Sequence, residues 1–435
     1  MRLATFFARI SRVADRTGLL IVRPWRTTAG LVAVACCLAN GPDARAADWP
    51  QFRGPGGRSS AGSENRLPVE WNVSEMRNVA WRVDLPGRGP SGPIVVRDRV
   101  VVTASSGPKQ DRLHVLCLDA ASGRKLWERQ FWATGRTMSH PSSANAAPTP
   151  ASDGEAIYAF YSSNDLVCLD LDGNLRWYRG LASDFPKAGN DVGMASSPVV
   201  HDGTVVVQVE NQGDSFVSAI DTRSGQTRWQ LPRPQKANWT SPVIAEVPGG
   251  NPIVLLKSGS GLDAHDLKSG LLQWTHAAAA GGISSAAIVG DRIYLPEDGL
   301  TLLNLSPSGR APDVVWNANR MNAGPTSPVV ADDQVFIINR GGVLSCASVQ
   351  DGKDQWQLRL SGSFWATPVY AGGHLYCIND GGQAQVVKLG EKPEIVARND
   401  FGQGVQGSPA VADGALYVRS DGALWKIAAG ASASK

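Results

Sequence analysis

Charge is sparse in this 435-residue chain. Asp, Glu, Lys and Arg make up 19% of it, below the usual quarter of a soluble domain. Histidine and cysteine occur six times each. There is no CxxC and no His-rich cluster, so a structural zinc site is not supported. No apolar run is long enough for a comfortable membrane span. The formal charge of +3 is a local effect: the first 46 residues hold seven arginines and two acids. Removing these from the totals of 42 basic and 39 acidic residues leaves 35 and 37, which excludes a globally basic nucleic-acid binder. Hydrophobic residues at 43% can build a core, which excludes disorder over most of the length. Glycine (47) and tryptophan (14) are what abound, and they point to an all-β chain with many turns.

Residues 1–26 are arginine-rich, 27–40 form a short apolar run, and Ala44-Arg45-Ala46 places small residues where a signal peptidase reads. This pattern predicts a secretory signal over 1–46, cut before Ala47, and a periplasmic or secreted mature chain. An uncleaved anchor and lipidation at Cys36 or Cys37 are the alternatives. The preceding Ala33-Val34-Ala35 lacks the leucine that lipidation favours. The remaining cysteines, Cys117, Cys168, Cys346 and Cys377, fall nine or ten residues before a tryptophan or inside apolar runs. They are expected as buried free thiols, although an oxidising compartment permits disulfides.

A repeat organises the rest. A small residue and proline open an apolar run, a turn follows, and a second apolar run returns, as in SSPVVHDGTVVVQV (196–209) and ATPVYAGGHLYCI (366–378). Eight copies occur, with prolines at 93, 148, 198, 242, 328, 368 and 409 and Ala286 in the fifth. Proline is tolerated at the first position of a strand. The Asp-Gly, Gly-Asp and Gly-Gly centres suit tight hairpins. A second element follows, with Asp, a turn containing Gly, and Trp four residues after that Gly: Asp119/Gly123/Trp127, Asp221/Gly225/Trp229 and Asp266/Gly270/Trp274. The Asp accepts backbone hydrogen bonds in the turn and the Gly takes the left-handed corner. Trp81, Trp127, Trp177, Trp229, Trp274, Trp316 and Trp356 are expected to dock across the gap between sheets. The seventh copy, 385–399, has no tryptophan.

Two hairpins make a four-stranded antiparallel blade, and eight blades make a β-propeller. The last blade is split. The C-terminus supplies 415–428, and the N-terminal segment 77–87, with Trp81, supplies the missing outer strand. The expected organisation is therefore a signal (1–46), an N-terminal extension (47–76), a propeller (77–428) closed by pairing its two ends, and a short tail (429–435).

The Asp–Gly–Trp frame in eight blades resembles the tryptophan-docking repeat of PQQ-type quinoprotein propellers over about 49–428. Trp49-Pro50-Gln51-Phe52-Arg53-Gly54 looks like the start of exported PQQ-like repeat proteins. The length and single ring are similar to the BamB-type outer-membrane assembly factor, a periplasmic scaffold. The enzyme branch of the resemblance implies PQQ, calcium and a vicinal cysteine pair beside the quinone. The one adjacent pair here, Cys36-Cys37, lies in the signal, and no haem-attaching CxxCH is present. The resemblance thus implies the fold rather than the chemistry.

If the first hairpin strand lines the channel, the loops leading into it share one face with the middle loops of each blade. That face is predicted to carry His140, Asn145, Asp191, Trp239, Asn322 and Trp365 from the lead-in loops. The middle loops add Glu210, Lys257, Glu297, Arg340, Asp380 and Arg419. Trp239 and Trp365 could stack on a quinone, a sugar ring or a peptide side chain. Glu210, Glu297 and Asp380 with Lys257, Arg340 and Arg419 would form a mixed-sign ring at the channel mouth. Calcium, if bound, would draw on Glu297, Asp298 and Asn322. No catalytic residue is assigned. The long loop around His140 is expected to contact a partner. The expected function is a non-catalytic, monomeric, protein-binding scaffold of the cell envelope, without nucleic acid. A PQQ/calcium oxidoreductase of alcohols or sugars and a carbohydrate-binding propeller are the alternatives.

Overall fold

The strands are short, and each is written by a local pattern of β-branched and aromatic residues between turn residues. In the computed structural model, which describes residues 48–189, 191–278, 282–306 and 310–431, they assemble into eight four-stranded antiparallel sheets. The signal and lipidation readings at 1–46 lie outside these residues. Blade 1 comprises Ile94–Val96, Arg99–Ser106, Arg112–Asp119 and Lys125–Trp132. Blades 2 to 7 follow in order over 151–180, 199–232, 243–277, 287–318, 329–359 and 369–400. Blade 8 takes three strands from 410–428 and its outermost from Val79–Asp84, which pairs antiparallel with Ala423–Ala428. The ring is thus closed by the two ends of the propeller segment.

Inner hairpins turn as their sequence demands. Asp202 and Gly203 both take positive φ, as do Asp413 and Gly414, the pairing a two-residue type I′ turn needs. The second copy differs from the sequence expectation in register. Its strand Ala151–Ser152 is opened by Pro150 and not by Pro148, because Thr149-Pro150 occupies the place of Ser197-Pro198 and its equivalents.

The docking frame works between blades. The indole N–H of Trp81 donates to Ala120 O, Trp127 to Leu171 O, Trp177 to Thr222 O, Trp229 to Leu267 O and Trp316 to Val349 O. Each acceptor lies in the Asp–Gly turn of the next blade round the ring. The turn glycine has a second duty there. A Cβ built on Gly225 would sit 2.8 Å from the Trp177 ring, on top of a φ of +70°. Each buried indole hides roughly 150–250 Å², or about 4–6 kcal/mol at ~25 cal/mol per Å². Trp356 departs from this pattern: its N–H finds no partner, and the facing turn of blade 7 is the shorter Lys388-Leu389-Gly390.

Blade 7 also lacks the tryptophan, with Ala397 standing there. The extension compensates. Trp71 packs against Phe401, its backbone N–H donates to Asn399 Oδ1 (2.9 Å), and Asn399 Nδ2 donates to Val69 O (3.0 Å). Upstream, the extension crosses the channel at the end opposite the lead-in loops. It pairs Trp49 with Val95 of blade 1 and bonds Pro50 O to Ser152 N of blade 2. Arg58 O then bonds to Val330 N of blade 6 and Ser59 O to Tyr370 N of blade 7. Midway, the Arg53 guanidinium is buried and donates to Ala286 O (2.8 Å), just before the inner strand of blade 5. The segment is a plug.

All four cysteines of the propeller are free and buried. Burial pushes the thiols of Cys117, Cys168 and Cys346 up to about 12, so they are inert packing groups. Of the tail, Ala431 O accepts from Asn78 N (2.9 Å), and residues 432–435 lie outside the described set. No helix among the described residues is long and apolar enough to cross a membrane.

Candidate functional site

Plugging one end of the channel leaves a blind funnel of about 430 Å³ at the other, with Phe52 of the plug in its lining. The funnel wall is set by the first residues of the eight inner hairpins. Thr149, Ser197, Ser241, Ser285, Ser327, Thr367 and Ser408 each stand directly before the residue that opens the inner strand. All seven line the cavity. They are stitched into a belt. Gly92 N donates to Thr149 Oγ1, Thr149 N to Ser197 Oγ, Ser197 N to Ser241 Oγ and Ser241 N to Ser285 Oγ. Ser285 N then donates to Ser327 Oγ, Ser327 N to Thr367 Oγ1 and Thr367 N to Ser408 Oγ, all at 2.9–3.1 Å. The belt breaks only at Gly92, which has no hydroxyl. Sequence reasoning missed these residues. Their signal was a Ser or Thr before the strand-opening proline in six copies and before Ala286 in a seventh.

Three lead-in loops form the taller part of the wall and hold one another. Arg136 pairs with Asp191 (2.5 Å), His140 N donates to Val192 O (3.2 Å), and Trp239 Nε1 donates to Gly193 O (2.9 Å). The His140 ring is occupied locally by Ser142 Oγ (2.7 Å). Trp365 stands on the funnel wall, 45% exposed. Met138 and Val192 are exposed on the loops leading into blades 2 and 3. Trp239, Trp365 and His140 therefore share one cavity, with Asp191 on the loop behind.

The other predicted residues do not join them, and the mixed-sign ring at the mouth is not formed. Second-strand side chains near that end point into the gap between blades and not into the channel. Glu210 is buried, accepting from Arg233 Nε (2.8 Å), Asn238 Nδ2 (3.0 Å) and Gln208 Nε2 (2.9 Å). Burial pushes its carboxyl up against the pull of Arg233. Lys257 is buried with Glu297 and Glu210 as its charged neighbours, and burial brings its ammonium down to about 8. Arg419 is buried and donates to Ser91 Oγ (2.7 Å) and Thr103 O (2.8 Å) of blade 1. Asn145 is a buried clamp that bonds Ser163 N and Gln110 O. Glu297 is held by Thr301 Oγ1 and lies 3.4 Å from His276 Nε2. Asn322 caps Gly299 N (3.0 Å) and bonds Asn319 O (2.9 Å). Arg340 is exposed and Asp380 half-buried on their middle loops, apart from the cavity lining.

The lining is consequently neutral. Among the described residues that form it there is no Asp, Glu, Lys or Arg, and His140 is its one titratable side chain. Nor do three or more His, Cys, Asp or Glu side chains converge on one point among the described residues.

Comparison with known proteins follows the repeat. The family profile described as outer membrane protein assembly factor BamB matches residues 53–237, 187–296, 309–390 and 341–432. The outer membrane protein assembly factor BamB of Moranella endobia is 24% identical over 310 residues, covering 69% of this chain and 73% of its own length. That of Escherichia coli is 27% identical over 41% of this chain and 46% of its own. A polyvinylalcohol dehydrogenase of Pseudomonas is 27% identical over 36% of this chain and 25% of its own. Among solved structures, BamB from Moraxella catarrhalis superposes with a TM-score of 0.61 at 16% identity, over 82% of this chain and 99% of its own. The quinohemoprotein alcohol dehydrogenase of Comamonas testosteroni superposes at 0.63 and 13% identity, over 90% and 82%.

Proposed function

Because this chain belongs to the family of the outer membrane protein assembly factor BamB, we propose that it acts as a protein-binding scaffold of the cell envelope, without chemistry of its own. The observation that carries this reading is the latched wall of lead-in loops. Val192 on those loops and Trp365 elsewhere in the funnel wall present exposed apolar surface, Met138 is exposed on the same loops, and the Arg136–Asp191 pair supplies a polar border. An apolar centre with a polar rim is the anatomy of a protein contact, and loops on a rigid ring are where such contacts are carried.

A PQQ–calcium pair does not suit this wall. PQQ carries carboxylates, and the described residues of the lining offer them no Lys or Arg. Calcium takes six to eight oxygens, usually with carboxylates among them. Glu297 and Asn322 are engaged with Thr301 and Gly299, away from the funnel.

The test places a photo-crosslinking side chain at Val192, at Met138 and, as a control, at Leu271 on the outer rim of blade 4. In envelope-localised protein, discrete adducts at Val192 and Met138 but not at Leu271 are expected. Equal labelling at all three, or none, would overturn the assignment of this face.

A further inference from the structure

The seven belt hydroxyls are only half used. A Ser or Thr hydroxyl has one proton to donate and two lone pairs. Each belt oxygen accepts one backbone N–H from the neighbouring blade, and none of the seven protons has a protein acceptor among the described residues. Every one of these hydroxyls therefore keeps a donor and an acceptor for whatever fills the funnel. They form a crown, and the crown is neutral.

Two indoles stand with it in the lining. Trp239 has committed its N–H to Gly193 O, so it offers a ligand its ring rather than a hydrogen bond. Trp365 is nearly half exposed. The cavity, about 430 Å³, lies within the ~300–1,000 Å³ range of small-ligand pockets. Its far end is shut by Phe52 and the plug behind it.

We propose that the funnel binds a neutral saccharide unit, its hydroxyls on the crown and its C–H face against an indole. Three observations favour this chemistry. First, sugar hydroxyls both give and take hydrogen bonds, as every member of the crown can. A peptide separates its donors and acceptors onto different atoms at fixed backbone spacing, whereas each sugar hydroxyl carries both. Second, the described residues of the lining include no Asp, Glu, Lys or Arg, so a phosphate, carboxylate or ammonium would lose its hydration without a fixed counter-charge. Third, flat apolar surface beside dense hydroxyl matches a ligand that is apolar on its ring faces and polar at its edge. The proposal shares Trp365 and Val192 with the protein-scaffold reading but does not rest on it, since its central observation is the hydroxyl crown. The same chemistry is presented by a free oligosaccharide and by the chain end of a glycan polymer.

The experiment is a titration of the purified protein, followed by intrinsic tryptophan fluorescence and calorimetry. The free probes are maltotriose and N,N′,N″-triacetylchitotriose, and the polymer arm is co-sedimentation with purified peptidoglycan sacculi. Galacturonate is paired with galactose as the charged control, and an acetylated, amidated Gly-Trp-Gly peptide tests the alternative. Saturable quenching by a neutral trisaccharide, with Kd in the range of about 0.01–1 mM, or saturable co-sedimentation, is expected. The first outcome identifies free sugar and the second alone identifies polymer ends. Trp365→Ala should weaken binding about tenfold with thermal unfolding unchanged, because its ring is exposed and unbonded. Ser327→Ala should weaken it independently of the indoles. The proposal is overturned if no neutral glycan binds, if Trp365→Ala and Ser327→Ala bind as well as the parent, or if galacturonate or the peptide binds more tightly than the sugars.

Discussion

Lys257 shows how position along a strand decides whether a polar residue is a surface group or a structural one. Its carbonyl accepts from Gln208 Nε2, Asn238 Nδ2 and Thr240 Oγ1, while its ammonium is buried near Glu297 and Glu210. The ammonium is brought down to about 8, whereas an exposed lysine titrates near 10.4. The unfolded chain therefore binds the extra proton between pH 8 and about 10.4, so stability at this site rises with pH across that window. The stability difference between the parent and Lys257→Met, measured by denaturant unfolding, should move about 2–3 kcal/mol in the parent's favour from pH 8 to 10.4. A flat difference would mean that the lysine is solvated. Tryptophans divide in the same way. Trp229 is buried on the turn of blade 4, and Trp229→Ala should cost about 3–5 kcal/mol. Trp365 only lines the funnel, so Trp365→Ala should stay within about 0.5 kcal/mol.

At the scale of elements, the plug and blade 7 are where the ring departs from its repeat. Gly54 takes a φ of +70°, and a Cβ there would lie 2.9 Å from the Trp49 ring. Gly54→Ala should destabilise the protein by about 1–3 kcal/mol, read as a lower midpoint in denaturant at unchanged slope. Blade 7 has Ala397 where other blades have an indole, and the Trp356 N–H facing it is unpaired. Amides of Glu394–Asp400 should therefore exchange faster than those of Thr227–Pro232 in hydrogen-exchange measurements. Equal protection would show that Trp71 and the extension fully replace the missing dock.

These elements also explain what could be read beforehand. The blades were legible because each strand, hairpin turn and docking tryptophan follows a local pattern repeated round the ring. The Pro148 register was misread because Pro150 lies two residues on and only the ring distinguishes them. The plug was invisible as a plug, since 49–62 repeats nowhere and finds its partners on blades as far apart in sequence as Val95 and Tyr370. Glu210, Lys257 and Arg419 were read as a charged ring because loop proximity was legible but side-chain direction was not. Lys257 lies on the same side of its strand as Leu255, which packs into the gap between blades 4 and 5, and so points there too.

Across the propeller as a whole, closure by Val79–Asp84 and plugging by the extension turn an open ring into a cup. The cup wall is neutral and hydroxylated, and its rim is a set of mutually tied loops. That combination suits recognition, and on the scaffold reading proposed above the protein takes no redox cofactor. The most direct measurement is a calorimetric and optical titration of the purified protein with PQQ in the presence of calcium. No saturable heat and no shift of the quinone spectrum are expected. One equivalent bound saturably, with dye reduction on adding an alcohol, would contradict a non-catalytic scaffold.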